Sequence, residues 1–552
     1  MLNRSFTAPP LVQATVQPVA VFWSAVCAAL AVPMLLPSLL EYVTLGTDYG
    51  LERTGVVLAE LGVVSVWLLG KREVVRPRLH PAIWTLLGIW LLASLVATIW
   101  AVHPVPAVLR SAEWVAHGLF AFVVWTELRR DPNGTKYIEQ AVALGFAFFT
   151  ALVVFEALKM EAPGKHNWMG QTPYLGNIRH FGIYALAGLA FAARPLLDAG
   201  ASRVSKHGAV ALMTLAWTVL WWSGGRASVG AAVVAGAVLF ALAGPRRRSL
   251  ALWFVVALGV GALLSEGLAV GRGGGGIAGG LGMDVNSAKG NGFTSGRTDV
   301  WMTALAAWQE RPWLGVGPDG ATFLLSTYQQ VQPHNLFVQV LVEWGIVGGI
   351  AFLGLLSWGL ICAVRTAWAE TDPAMRAARA VAVSYLLGAT AHAMLDGLFY
   401  DARSLLFIAA ASAVALVPTQ GDPALRLMPT RARALVVGTV VTVALLFGLH
   451  LAVVRAVWTP ETPQPDAARV QLLKAFPSPS HLRGTLWWAA DWEATHPDEA
   501  LDLVRWGGEH ARLPWAFMRK EGDLLLGRGR EAEALERYEA ARRSEARAGR
   551  AD

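Results

Sequence analysis

Runs of roughly 20 apolar residues recur along most of this chain, the length an α-helix needs to cross the hydrocarbon core of a bilayer. That ruler finds segments near 17–40, 54–70, 81–101, 111–127, 138–158, 180–195, 209–223, 227–243, 250–270, 336–361, 379–398, 403–418 and 435–456. The fold expected is an all-α polytopic membrane protein with about 12–13 transmembrane helices. Composition agrees, since 55% of the 552 residues are hydrophobic and 15% charged, against roughly 45–50% and about 25% in soluble domains. The first apolar run follows Arg4 without a small-x-small cleavage site, so it is expected to stay as a helix. Cys27 and Cys362 fall inside apolar runs, which suggests neither a disulfide nor a metal site.

Basic residues in the short connections set the orientation. They gather at Lys71, Arg72, Arg76 and Arg78, at Arg129, Arg130 and Lys136, at Arg203 and Lys206, and at Arg246, Arg247 and Arg248. Further on come Arg365 and Arg376, then Arg426, Arg431 and Arg433. If the helices alternate, all these loops share one side, the cytoplasmic one. The expected layout is a cytoplasmic N-terminus over 1–16, a membrane domain over 17–457 and an extracytoplasmic tail over 458–552. Within the membrane domain, 271–335 is a large extracytoplasmic loop. The net charge of +7 is explained by topology, and no nucleic-acid-reading motif accompanies it.

The tail is charged with both signs and holds no spanning run. Its end resembles a tetratricopeptide helix pair, with Ala534, Tyr538 and Ala541 at helical spacing after a turn near Gly527. One such pair cannot bury its own face, so upstream helices are expected to pack on it. The run "GRGGGGIAGGLG" at 271–282 lacks a Gly-Lys-Ser/Thr ending and reads as a flexible linker. After it, Trp301, Leu305 and Trp308 share one helical face, which suits a helix lying at the membrane interface or a short helix packed on the bundle.

The polar residues that stand out sit at extracytoplasmic helix ends. They are Asn177, Arg179 and His180; Arg226 in a tight Gly-Gly turn; Arg297; His334 and Asn335; and His392, Asp396, Tyr400, Asp401 and Arg403. Singly, each has a plain reading: an arginine reaching lipid headgroups, as at Arg403, or a histidine bridging packed helices, as at His392. Together they describe a cationic pocket. Arg179, Arg226 and Arg297 could hold a diphosphate through forked hydrogen bonds, beside the positive N-terminal end of the helix after Pro333. Carboxylates are too few and wrongly spaced for a divalent metal, so no metal or other cofactor is expected.

The stretches "GNIRHFGIYAL", "SGGRASVGA", "GRTDVWMTALAAWQERPWLGVGPDGATF", "HNLFVQVLVEWGIVGG" and "HAMLDGLFYDARSLLF" resemble the O-antigen ligase and polymerase superfamily of bacterial inner-membrane glycosyltransferases. That group takes in lipopolysaccharide ligases, O-antigen polymerases and O-linked oligosaccharyltransferases. The resemblance implies transfer of a glycan from undecaprenyl diphosphate to an acceptor hydroxyl at the periplasmic face, without metal. It also implies that Arg226 and Arg297 bind the diphosphate and that His334 is the general base; Arg179, from the pocket read above, is expected to join the two arginines. His180, Asn335, His392, Asp396, Tyr400 and Asp401 are expected as donor or acceptor contacts. Partners implied are the lipid-linked glycan, membrane lipid, and an acceptor that is lipid A core, a growing glycan or a protein. The tail is expected to dock a periplasmic protein partner. A protein oligosaccharyltransferase is the alternative activity, and a polysaccharide flippase or transporter is the rival of another class. Glu343, about 13 Å below His334 at about 1.5 Å per helical residue, reads as structural.

Overall fold

The computed structural model describes residues 16–42, 49–70, 73–74, 80–159, 178–272, 274–281, 297–324, 332–417, 426–427, 429–457, 467–475, 486, 489–490, 492–510 and 515–548. Asn177, the cytoplasmic N-terminus expected before residue 16, and positions 273, 282–296 and 325–331 of the 271–335 loop lie outside the described residues.

The membrane part is built from α1 (Val16–Tyr42), α2 (Tyr49–Leu69), α3 (Pro81–Ile99), α4 (Pro104–Leu128), α5 (Gly134–Lys159), α6 (Phe181–Ala192) and α7 (Arg194–Leu197). The chain continues with α8 (Arg203–Trp222), α9 (Arg226–Leu242), α10 (Arg247–Arg272), α11 (Gly276–Gly280), α12 (Arg297–Glu310) and α13 (Gly320–Leu324). Last come α14 (Leu336–Ala369), α15 (Pro373–Ala393), α16 (Ala402–Ala415) and α17 (Thr430–Val457). Among the described residues, extended backbone amounts to one two-residue antiparallel ladder, Glu73–Val74 against Arg426–Leu427. The all-α polytopic expectation holds.

Seven described helical stretches are long and apolar enough to span a bilayer: α3, α4, α5, Ile178–Leu197, Gly244–Val270, α14 and the described length of α17. Shorter apolar helices are Val19–Leu35, α9 and α16. The expected spans at 54–70, 209–223 and 379–398 correspond to α2, α8 and α15, which are not in this set. This is a multi-pass membrane protein.

Every residue of α6 is buried, and the helix packs against α5, α8, α9 and α15. A helix apolar on all sides belongs at the centre of a bundle. Glycine lets neighbours close on it: a Cβ at Gly182 would overlap the Ser228 side chain of α9, and one at Gly188 would overlap Phe146 of α5.

The bundle has two distinct ends. At one, the 73–74 and 426–427 segments pair, Arg433 Nη2 donates to Leu68 O (2.7 Å), and Arg194 Nη2 donates to Ala374 O (2.8 Å). These contacts join loops that the basic-residue pattern places on one side. At the other end, Val102 N donates to Val316 O (3.1 Å), Gly275 N to Trp222 O (2.8 Å) and Asn335 Nδ2 to Met394 O (3.1 Å).

A break in α14 shapes that second end. Gly345 has φ 65°, outside helical geometry, within an otherwise helical stretch. In an unbroken helix Ile346 N would donate to Val342 O. Instead it donates to Pro312 O (2.9 Å), while Val342 O accepts from Val316 N (2.8 Å) and Glu343 O from Gly317 N (3.1 Å). Backbone groups freed inside a membrane protein need such replacements. Only glycine allows the approach, since a Cβ at Gly315 would overlap Val342 O and one at Gly345 would overlap the Trp313 carbonyl. The Pro-x-x-Gly-x-Gly turn and the Glu-x-Gly-x-x-Gly helix are therefore two halves of one joint.

Helix α12 packs on the bundle: Val300, Ala304 and Ala307 are buried with Val316, Ala321 and Val342. Its tryptophans are tied down as well, with Trp301 Nε1 donating to Pro333 O (2.6 Å) and Trp308 Nε1 to Pro312 O (3.1 Å). Of the two readings of this helix, the packed one describes these contacts.

In the tail, helices Trp515–Leu526 and Glu531–Ala548 pack as a pair, with Tyr538 closing over Gly522 and with Ala534 and Ala541 fully buried. Helix Pro497–His510 packs on the first of them. Much of the upstream stretch "HLRGTLWWAADWEATHP" lies outside the described residues.

Candidate functional site

The turn between α8 and α9 delivers Arg226. Gly224 there has φ 62°, and Gly225 precedes Arg226 as the cap of α9. The glycine run expected to be a flexible linker is, over 274–281, folded onto this turn. Its short helix α11 lies beside α8, and a Cβ at Gly275 would overlap the Gly224 backbone. The absent side chains permit backbone-to-backbone contact, so the run covers the turn rather than swinging free of it.

Arg297 opens α12, one turn before Trp301. The hydrogen bond from Trp301 to Pro333 O ties α12 to the segment before α14, which explains the Arg-x-x-x-Trp spacing. Arg297 lies within electrostatic reach of Arg179, Arg226 and Asp396. Burial lowers its pKa from the ordinary arginine value, Asp396 opposes this, and the neighbouring Arg179 and Arg226 add to the lowering. Three guanidinium groups held against mutual repulsion, with one carboxylate nearby, form a place where an anion is favoured.

Beside them stands His334, with its backbone in the left-handed region at φ 51°. Asn335 caps α14, its Oδ1 accepting from Val338 N (3.1 Å) while its Nδ2 holds Met394 O (3.1 Å). Next to that anchor, His334 Nδ1 lies 2.8 Å from Asp396 Oδ1. An ionised carboxylate only accepts, so Nδ1 carries a proton, and in the neutral ring Nε2 is the nitrogen with the lone pair. Asp396 Oδ1 also accepts from Gly397 N (2.8 Å). Its other oxygen lies 3.3 Å from Nε2 of His392, and that nitrogen lies 3.1 Å from Ser228 Oγ. Burial pushes the Asp396 carboxyl up, but hydrogen bonds and charge from His334 and His392 outweigh it and hold the group well below the ordinary range.

Of the residues singled out in the sequence, Arg179, Arg226, Arg297, His334, His392 and Asp396 thus gather at one end of the bundle. Asn335 serves by capping. His180, in the 3-10 turn Ile178–His180, lies within electrostatic reach of Asp401. Asp401 caps α16 and grips Arg403 with both oxygens (2.9 and 2.7 Å), and Arg403 reaches Glu52 of α2 (2.7 Å). Arg403 is 2% exposed, so it serves this internal pair and does not reach lipid headgroups. The buried Tyr400 turns its hydroxyl to Asp319 and Thr322 and its ring toward Arg53 and Arg110. Ser228 and the charged cluster of Arg53, Arg110, Glu113 and Asp319 were not among the sequence candidates. The spacing of Arg110, Glu113 and His117 on one face of an apolar helix is the signal that marks the cluster.

Residues 210–353 match the family profile described as O-antigen ligase. The matched span contains Arg226, Ser228, Arg297, His334 and the Gly345 joint, and stops short of His392 and Asp396. No curated protein matches the chain closely enough to add to this. Three of the five stretches that carry the resemblance fall within the matched span, so over residues 210–353 the chain is similar to the O-antigen ligase family.

Proposed function

We propose that this protein is a glycosyltransferase of the bacterial cytoplasmic membrane. It moves a glycan from undecaprenyl diphosphate to an acceptor hydroxyl at the periplasmic face, as a lipopolysaccharide ligase or a surface-polysaccharide polymerase. The observation that carries this reading is the contact between His334 and Asp396 beside three arginines that share one electrostatic environment.

In the reaction, His334 Nε2 takes the proton of the acceptor hydroxyl while Asp396 holds the ring and steadies the imidazolium that forms. The acceptor oxygen bonds to the anomeric carbon. The bond from that carbon to the diphosphate oxygen breaks, and its electron pair leaves on the diphosphate. Arg226, Arg297 and Arg179 bind that charge as it develops. The proton then passes from His334 to solvent or product. Placement of these groups at the helix ends argues against a transporter, whose binding groups cluster near the bilayer midplane.

The packed tail helices favour a second acceptor, a protein hydroxyl, because grouped helices offer a docking face. Expression in a host lacking its own ligase, polymerase and oligosaccharyltransferase tests both. Glycan on lipid A core, or a lengthened lipid-linked polymer, is the expected product. Glycan on protein alone would select the second acceptor, and no transfer to any of them would defeat the proposal.

A further inference from the structure

Arg110, Glu113 and His117 follow one another along one face of α4, all buried within a helix apolar enough to span a membrane. Buried charges there are costly unless paired and hydrogen-bonded, which makes each a candidate for function. Arg110 Nη1 donates to Glu113 Oε2 (2.7 Å), and Arg53 of α2 holds the same carboxylate oxygen through Nε (3.2 Å). Arg53 Nη1 reaches Asp319 (3.0 Å), and Glu113 Oε1 lies 3.5 Å from His117 Nε2. His117 Nδ1 in turn meets Glu60 at 2.6 Å.

The rest of the Arg110 fork is spent outside this ion network. Nη1 reaches the main-chain carbonyl of Tyr400 (3.3 Å) and Nη2 that of Phe399. These two carbonyls belong to the 3-10 turn Leu398–Tyr400, which begins two residues after Asp396. A contiguous set of hydrogen bonds runs upward from there. Tyr400 N donates to Gly397 O (2.9 Å), Gly397 N donates to Asp396 Oδ1 (2.8 Å), and that oxygen holds His334 Nδ1 (2.8 Å).

We infer that Arg110 is a positioning residue for the His334–Asp396 pair, acting from the membrane interior by fixing the backbone turn that carries Asp396. A reacting group must be held to within about 0.5 Å of its working geometry by supports of this kind. A planar guanidinium suits the task because it can bond two adjacent carbonyls and a carboxylate at once, which an ammonium cannot match. Asp319 and Thr322 hold the same Tyr400 by its hydroxyl, so the turn is gripped from α4 and from the 311–324 loop together. The inference rests on His334 acting as the base of the proposed transfer.

The test compares Arg110→Met, Arg110→Lys and His334→Ala in purified full-length protein with a polyprenyl-diphosphate-linked glycan. Activity is expressed per folded molecule, counted by gel filtration and thermal unfolding. Arg110→Met is expected to lower kcat at least tenfold while the donor KM stays within twofold, with Arg110→Lys recovering part of the loss. An unchanged kcat, or a fall in kcat matched by an equal rise in KM, would overturn the inference. Should Arg110→Met fail to fold, Arg110→Lys is read by the same outcomes. His334→Ala separates the two claims: if it is inactive while Arg110→Met turns over normally, only the positioning role fails. If His334→Ala is itself active, the base assignment fails.

Discussion

His334 and Asp319 are the described non-glycine residues with left-handed backbone, and both stand at the joint between the loops and α14. Such a conformation costs about 1–3 kcal/mol and persists where surrounding contacts over-determine it. For His334 those contacts are the Asn335 cap, the tie from Trp301 to Pro333 O, and Asp396. Asp396→Asn is expected to cut transfer by about 10²–10⁴-fold, because an amide can donate to Nδ1 and so favour the tautomer with the proton on Nε2. A steady-state rate within tenfold of wild type would contradict this. Arg226→Lys is expected to lose at least about tenfold, since a point charge lacks the fork. Turnover near wild type would show that the position needs only charge. The lowered pKa of Asp396 also has a sign. A carboxyl whose folded value lies below its unfolded value of about 3.9 stabilises the fold above that value, and loses the effect only as pH falls through the folded one. The unfolding-temperature gap between wild type and Asp396→Asn should therefore not narrow between about pH 7 and about pH 5. A gap that closes by about pH 5 would mean that the carboxyl takes up its proton above the ordinary range of about 3.9, against the lowering.

At the scale of elements, the joint between the 311–319 loop and α14 is what places His334 and α12 together. Gly345→Ala is expected to destabilise by about 2–4 kcal/mol, combining left-handed strain with overlap on the Trp313 backbone. Gly359, farther along the same helix, has open space where a Cβ would go. Gly359→Ala should be neutral or stabilise by up to about 1 kcal/mol. Thermal unfolding of the two variants checks the contrast, and equal effects would mean that the break carries no special load. Both glycine motifs of this joint were visible in the sequence as spacing, but their mutual fit was not. The backbone hydrogen bond from Val316 N to Val342 O leaves no residue-type signature. The same holds for Ser228 and His392, which meet across 164 positions of chain. By contrast, Arg297, Arg226 and His334 were legible because charges at the ends of apolar runs have few plain uses. Arg110 was less legible, because it stands just before the apolar run at 111–127 and only the helix start at Pro104 puts it inside a span.

For the whole molecule, the basic loops and the candidate site occupy opposite ends of the bundle. That separation was legible from loop charges alone, since Lys and Arg are retained on the cytoplasmic side. Cysteine labelling in intact cells tests the orientation. Trp313→Cys, exposed at the site end, should react with a membrane-impermeant thiol reagent, and Ser202→Cys, exposed at the basic end, should react only after lysis. The reverse pattern would put the site in the cytoplasm. What unites the three scales is the proposed base and the proposed anion-binding arginines, which meet where α9, α12, α14 and α15 converge. The most direct test of that claim is glycan transfer by His334→Ala, reconstituted with a polyprenyl-diphosphate-linked glycan and acceptor and compared with wild type. Transfer lowered by about 10²-fold or more, with the protein folded and donor still bound, is the result predicted here. Transfer at the wild-type rate would contradict it.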